Sequence, residues 1–161
     1  MKKFIKNLER IQEVLLVSLL IIMCMVIFLA TVGRFTKLFT IVWAEELARY
    51  FMIWIIFLGI GVAGKKGEHF SVEVLDMLLP KKSLKVVNII KVVLVVVFNL
   101  VASVWAIKII RYQVLTKQIT PTLHWPMWVM YLAIPVGLLL MAIQYGYYEY
   151  SKLKDQRESE G

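Results

Sequence analysis

Four stretches of the chain are almost wholly apolar, and short polar segments separate them. The first, residues 14–33, holds no charged side chain. At 1.5 Å rise per residue it crosses about 30 Å of hydrocarbon, which predicts a membrane-spanning helix. The second covers about residues 41–64 and is charge-free after Arg49. The third, about 84–115, is centred on residues 92–107, with Lys91 and Lys108 able to reach opposite interfaces. Its valines would suit a strand in water. A bilayer demands that each backbone group be paired within the segment, so a helix is predicted. The fourth, about 125–148, starts with Trp125, Trp128 and Tyr131 and ends with Tyr145, Tyr147 and Tyr148, the aromatic belts of two interfaces. Pro126 suits its first turn, and Pro135 with Gly137 predicts a kink.

The intervening segments differ in kind. Residues 1–13 alternate Phe4, Ile5, Leu8 and Ile11 with Lys2, Lys3, Lys6 and Arg10 at helical spacing, either a surface helix or the wet start of the first span. Residues 67–79 put Val72, Leu75, Leu78 and Leu79 on one helical face, with Glu73 and Asp76 on another. This piece is too short to span, and Pro80 stops it, so an amphipathic helix along the membrane surface is predicted. Residues 116–126 contain two prolines and three threonines and read as a loop. Residues 151–161 form a charged tail, expected to be unstructured. The fold class is therefore an all-α membrane protein, a single domain over 1–161. It has four transmembrane helices plus a short amphipathic interfacial helix between spans two and three.

Composition supports this class. Hydrophobic residues make up 60 % of the chain and mean hydropathy is +0.75, against about 45–50 % apolar residues in soluble domains. The net charge of +8 does not point to nucleic acid, because the basic residues lie between the spans, where they act as topology signals. With the N-terminus inside, 13 Lys and Arg fall on the inner side and 5 on the outer, so both termini are expected to be cytoplasmic. The first apolar run is longer than a secretory signal core, which favours a retained anchor. Cys24 stands alone, so neither a disulfide within the chain nor a cysteine-based metal site is possible.

Two polar landmarks remain. Trp43, Glu45, Glu46, Arg49 and Tyr50 open the second span. Charges inside a bilayer cost roughly 2.5–3.5 kcal/mol each, so this cluster suggests pairing, an interfacial position or a protein partner. Glu45 with Arg49 (i,i+4) and Glu46 with Arg49 (i,i+3) can each meet on one helix face. A helix end at the membrane surface and a docking patch for another subunit are compatible readings. The second landmark is Lys65, Lys66, Glu68 and His69, which would order the turn into the surface helix. His69, Glu73 and Asp76 share a stripe but have no fourth ligand nearby. There is no hydrolytic triad, no phosphate-binding glycine loop and no carboxylate pair within an apolar run, so an enzyme is not expected and neither is a resident cofactor or metal. Secondary transporters usually show paired halves, and no internal repeat is visible here.

With these residues in view, the chain resembles the small membrane subunit of tripartite ATP-independent periplasmic (TRAP) transporters, the DctQ-type permease. The residues that carry this are Trp43, Glu45, Glu46, Leu47, Ala48, Arg49 and Tyr50, then Gly59, Lys65, Lys66, Glu68 and His69, then Val72 and Leu75. The resemblance implies a bacterial inner-membrane protein beside a separate large, DctM-type subunit that binds substrate and sodium and moves as an elevator. It also implies a periplasmic substrate-binding protein docking on the outer face. Substrates would be organic acids of the C4-dicarboxylate or sialic acid type. The chain would be a non-catalytic scaffold in which Trp43, Glu45, Glu46, Arg49 and Tyr50 meet the large subunit or lipid headgroups. Where the family carries a basic residue between Gly59 and His69, this chain has Lys65 and Lys66. The alternative is a self-sufficient homo-oligomeric small transporter or channel using Glu45 and Glu46 as a proton site.

Overall fold

The computed structural model of the chain describes residues 2–64 and 81–159. The expected surface helix at 67–79, and with it Lys65, Lys66, Glu68 and His69, lies outside the described residues. Within them the protein is all-helical. Its elements are α1 (Lys2–Thr36), α2 (Ala44–Gly64), α3 (Lys81–Leu115), a single turn α4 (Trp128–Tyr131) and α5 (Ala133–Ser159).

α1 is continuous, so residues 2–13 are the start of the first span and not a separate surface helix. Nothing between Asn7 and Thr36 breaks it: that stretch has no proline, and its one glycine, Gly33, stands in the last turn. α3 holds its valines in helix over 35 residues, as a segment that must satisfy its own backbone requires. The fourth apolar stretch is interrupted at Leu132, between α4 and α5. Pro135 has no N–H to donate to the carbonyl four residues back, which accounts for the break. Leu132 N–H still donates to Trp128 O and Val136 N–H to Leu132 O, so the interruption is a kink. The tail differs from expectation, because α5 runs to Ser159. Its Glu, Lys, Gln and Arg are strong helix formers and extend the span instead of ending it.

α1, α3 and the α4–α5 segment are long and apolar enough to cross a membrane. α2 lies between α1 and α5, and α3 packs on the other side of α5. The α2–α5 seam is tight because Gly137 is buried against α2, where a Cβ would run into the backbone of Phe57. Asn99 and Ser103 are both buried and turn back on their own helix. Asn99 Nδ2 donates to Val95 O at 2.8 Å and Ser103 Oγ to Asn99 O at 2.7 Å.

The end of α3 sets up the outer loop. Gln118 N–H donates to Gln113 O and Lys117 N–H to Val114 O, with Lys117 left-handed at φ 50°. These paired bonds are a Schellman C-cap, a place where glycine is the usual residue. A left-handed non-glycine residue costs about 1–2 kcal/mol. Lys117→Gly is therefore expected to stabilise the protein by about 1 kcal/mol, seen as a rise in Tm of roughly 2–4 °C. A fall in Tm would show that the exposed lysine holds the cap by other means.

Candidate functional site

The polar cluster at the start of α2 sits at the end of the bundle where residues 116–127 fold back over the helices. The loop is a small hairpin. Ile119 and Pro126 form an antiparallel bridge, Met127 N–H donates to Gln118 O at 3.0 Å, and Thr120 N–H donates to Trp125 O at 2.9 Å. Trp125 N–H donates to Thr120 Oγ1 at 3.2 Å, and Thr120 is buried. At the tip, His124 takes a left-handed φ of 54°, and its Nδ1 lies 3.2 Å from Thr122 O.

This turn presents two successive backbone N–H groups to one carboxylate. Thr122 N–H and Leu123 N–H both donate to Glu46 Oε2, at 2.9 and 3.0 Å. Consecutive N–H groups aimed at one point form an anion-binding concavity, and here the anion comes from the chain itself, 76 residues earlier. Glu46 is 5 % exposed. One turn along α2, Tyr50 is fully covered, its ring meeting Trp125 edge-on at 6.1 Å between centroids. The Thr120 hydroxyl lies beside both Glu46 and Tyr50. Glu46, Tyr50, Thr120 and Trp125 therefore form one inward-facing lock between α2 and the loop.

The other predicted members point outward. Arg49 makes no ion pair with either carboxylate among the described residues. Glu45 instead pairs with Arg34 at the end of α1, Arg34 Nη2 donating to Glu45 Oε1 at 2.7 Å. The intrahelical pairs expected from spacing do not form, because α1 brings a guanidinium to Glu45 and the loop claims Glu46. The Arg34–Glu45 pair is exposed on both sides and stabilises by less than about 1 kcal/mol. Its main effect is to orient the α1–α2 corner. Trp43, just before α2, is 42 % exposed, and Arg49 in its second turn is also exposed.

A second polar cluster, which sequence reasoning missed, joins α1, α2 and α5 at the opposite end. Gln144 Nε2 donates to Gln12 Oε1, and the Tyr148 hydroxyl donates to Glu9 Oε1. Gln144 is completely buried, and Glu9 and Gln12 nearly so. Gly61 makes room for them: a Cβ there would lie 2.7 Å from Gln12 Nε2 and 3.3 Å from Gln144 Oε1. Gly61 thus lets α1 and α5 approach α2 closely. Gly59 meets nothing. Gln144, a lone amide inside the fourth apolar stretch, was the available signal.

Among the described residues no group of His, Cys, Asp and Glu side chains is placed to hold a metal. The arrangement locks helices and a loop together and leaves Trp43 and Arg49 exposed near the start of α2.

Comparison with known proteins agrees. Residues 23–153 match the family model described as tripartite ATP-independent periplasmic transporters, DctQ component. The chain is 28 % identical over 146 residues to a putative TRAP transporter small permease protein of Haemophilus influenzae, covering 89 % of this chain and 88 % of that one. It is 33 % identical over 106 residues to the isethionate TRAP transporter permease protein DctMQ of Oleidesulfovibrio alaskensis, 64 % of this chain but only 16 % of that longer protein. It is 23 % identical over 171 residues to the C4-dicarboxylate TRAP transporter small permease protein DctQ of Rhodobacter capsulatus, covering 88 % of this chain and 75 % of that one. The chain belongs to the DctQ family and is the small permease subunit of a TRAP transporter.

Proposed function

We propose that this subunit is a non-catalytic scaffold. It anchors a separate large TRAP subunit in the bacterial inner membrane and helps a periplasmic substrate-binding protein to dock. α2 is then the fourth span, since its 21 residues rise about 31 Å between three helices long enough to cross. Both termini face the cytoplasm, and the loop end with Trp43 and Arg49 faces outward. Residues 67–79 lie along the inner surface. Sodium and the organic acid are bound by the large subunit, and the chain holds no cofactor of its own.

The observation that carries this reading is where the charges go. Glu45 and Glu46 are engaged by Arg34 and by the loop, which leaves Trp43 and Arg49 as the exposed members of the cluster outside those bonds. A carboxylate already engaged by two backbone donors is a poor carrier for a transported proton. The relatives support a scaffold shared among substrates. Their names cover isethionate, C4-dicarboxylate and, for a Halomonas elongata protein 29 % identical over 117 residues, ectoine. The fused DctMQ name of the Oleidesulfovibrio protein supports a large partner subunit. Dicarboxylate and sialic acid remain the substrate types proposed for the large subunit.

Co-purification tests the docking role. Trp43→Ala with Arg49→Ala is expected to reduce recovery of the large subunit, and solute uptake with it, roughly tenfold, as a loss of about 1.4 kcal/mol gives. Arg and aromatic anchors commonly carry such losses. Unchanged recovery would remove these two residues from the interface. Flux through vesicles holding this chain alone would overturn the scaffold reading itself.

A further inference from the structure

Residues 77–148 contain no aspartate or glutamate. The loop end of the bundle carries Arg34, Lys37, Arg49, Lys108, Arg111 and Lys117 against Glu45 and Glu46, six cations to two anions. All six cations are exposed. Both carboxylates are already engaged, Glu45 by Arg34 and Glu46 by the hairpin backbone. Lys108 lies over the Trp105 ring, its Nζ 4.7 Å from the centroid. Lys37, Arg49, Arg111 and Lys117 have no ion pair among the described residues. Lys and Arg are normally sparse on the outer side of a membrane protein, so an unpaired surplus there calls for an anionic partner.

Apolar side chains stand among these cations where α3 meets the hairpin. Leu115 is 81 % exposed and Ile119 57 %. Their height decides between a lipid and a protein partner. The charge-free part of α3, residues 92–107, centres that helix in the membrane. Leu115 then stands about 23 Å from the midplane, at the outer limit of the headgroup layer, ~20–22 Å. The hairpin caps the bundle from there, so Lys117 and Ile119 face water and not acyl chains. Exposed apolar groups rimmed by polar ones mark a docking surface. This one is held in shape beforehand by the bonds from Thr122 and Leu123 to Glu46 and by the Thr120–Trp125 bonds. Little ordering is therefore lost on binding.

We propose that the outer end of α3 and the hairpin form the recognition surface for an acidic face of the periplasmic binding protein. Arg111 and Lys117 supply the charge, and Leu115 and Ile119 the apolar contact. This rests on the orientation and docking proposed above and adds the partner's charge and the residues that read it. Opposite charge speeds encounter more than it tightens the final grip, which suits a partner that must arrive and leave repeatedly.

The test uses the intact transporter, this chain with its large subunit, in phosphatidylcholine vesicles with and without phosphatidylglycerol. The binding protein of the same system is added outside. The readout is the binding-protein concentration that gives half-maximal uptake. Sodium is held constant while choline chloride raises the ionic strength from about 50 to 300 mM. For the unaltered chain that concentration should rise roughly tenfold with salt. Arg111→Gln with Lys117→Gln should raise it roughly tenfold at low salt and flatten the salt response, with recovery of the large subunit unchanged. Leu115→Ala with Ile119→Ala should raise it several-fold and keep the salt response. Uptake that needs the binding protein but ignores both salt and the two charges would overturn the inference and leave docking intact. Uptake indifferent to the binding protein at every salt concentration would overturn both. Loss of the large subunit in the charge variant would assign the surface to the membrane complex. A charge effect seen only with phosphatidylglycerol would assign it to lipid headgroups. Either result overturns the inference.

Discussion

Glu46→Ala is expected to free the outer loop. Its carboxylate is the acceptor for both Thr122 N–H and Leu123 N–H, and both donors point into the bundle. Removing it strands two backbone groups next to a covered tyrosine, the arrangement that costs most among hydrogen-bond deletions. Hydrogen exchange at these two amides should accelerate at least roughly tenfold, because local opening no longer has to break them from a charged acceptor. Glu46→Gln should fall between, since it keeps one acceptor oxygen but adds an amide donor facing two N–H groups. Arg49→Ala serves as control and should leave loop exchange unchanged, as Arg49 contacts neither carboxylate. If Glu46→Ala leaves the Thr122 and Leu123 amides as protected as before, the loop is held by its own hairpin and not by α2. Loss of complex in a Glu46 variant would reflect a displaced loop, so Trp43 and Arg49 are the cleaner probes of docking.

Gly137→Ala should be the most damaging single-methyl change in the described part of the bundle. The added Cβ would land on the carbonyl group of Phe57, which belongs to a helix backbone and cannot swing aside. α2 and α5 must separate to admit it. Overpacking of this kind costs about 1–3 kcal/mol, or roughly 2–12 °C in Tm at this chain length. Two glycines provide internal comparison. A Cβ at Gly59 or at Gly146 meets nothing within 4 Å, so alanine there should be neutral or stabilising by up to about 1 kcal/mol. Thermal unfolding of the three variants in one detergent distinguishes the cases. Equal Tm for Gly137→Ala and Gly146→Ala would mean that the α2–α5 contact yields without cost.

The helices were legible because the bilayer criterion is one-dimensional: an unbroken apolar run of the right length predicts a span whatever its neighbours are. That criterion placed α1, α3 and the kinked α4–α5 segment, and it located Pro135 as the cause of the kink. Glu46 was also legible as an anomaly, a charge at the edge of a run. Its partner was not, because backbone N–H groups occur at every residue and nothing in Thr122 or Leu123 marks them as donors to a site 76 positions away. The expected Glu45–Arg49 and Glu46–Arg49 pairs failed for a related reason. Helical spacing reports which groups can meet, while tertiary packing supplied Glu45 with Arg34 and Glu46 with the loop. Gly137 was read as a helix-bending residue beside Pro135, and its real role is contact, which depends on where α2 passes. Gln144 was visible as an isolated amide, but Gln12 stands among charged residues, and the distance between two helices has no signature along either one. The tail misled because high charge was taken for disorder, while Lys, Glu, Gln and Arg also favour helix.

α1 meets its partners through polar groups near Gln12 and near Arg34, 22 positions apart, with a half-buried stripe of Leu16, Leu19, Met23, Val26 and Ala30 between them. That interval corresponds to about 33 Å along the axis. A helix fixed to its neighbours at both extremities behaves as a gauge rod: a membrane thinner or thicker than that interval must tilt it or strain its ties, at fractions of a kcal/mol per ångström. The subunit thereby carries a built-in preference for membranes of one thickness.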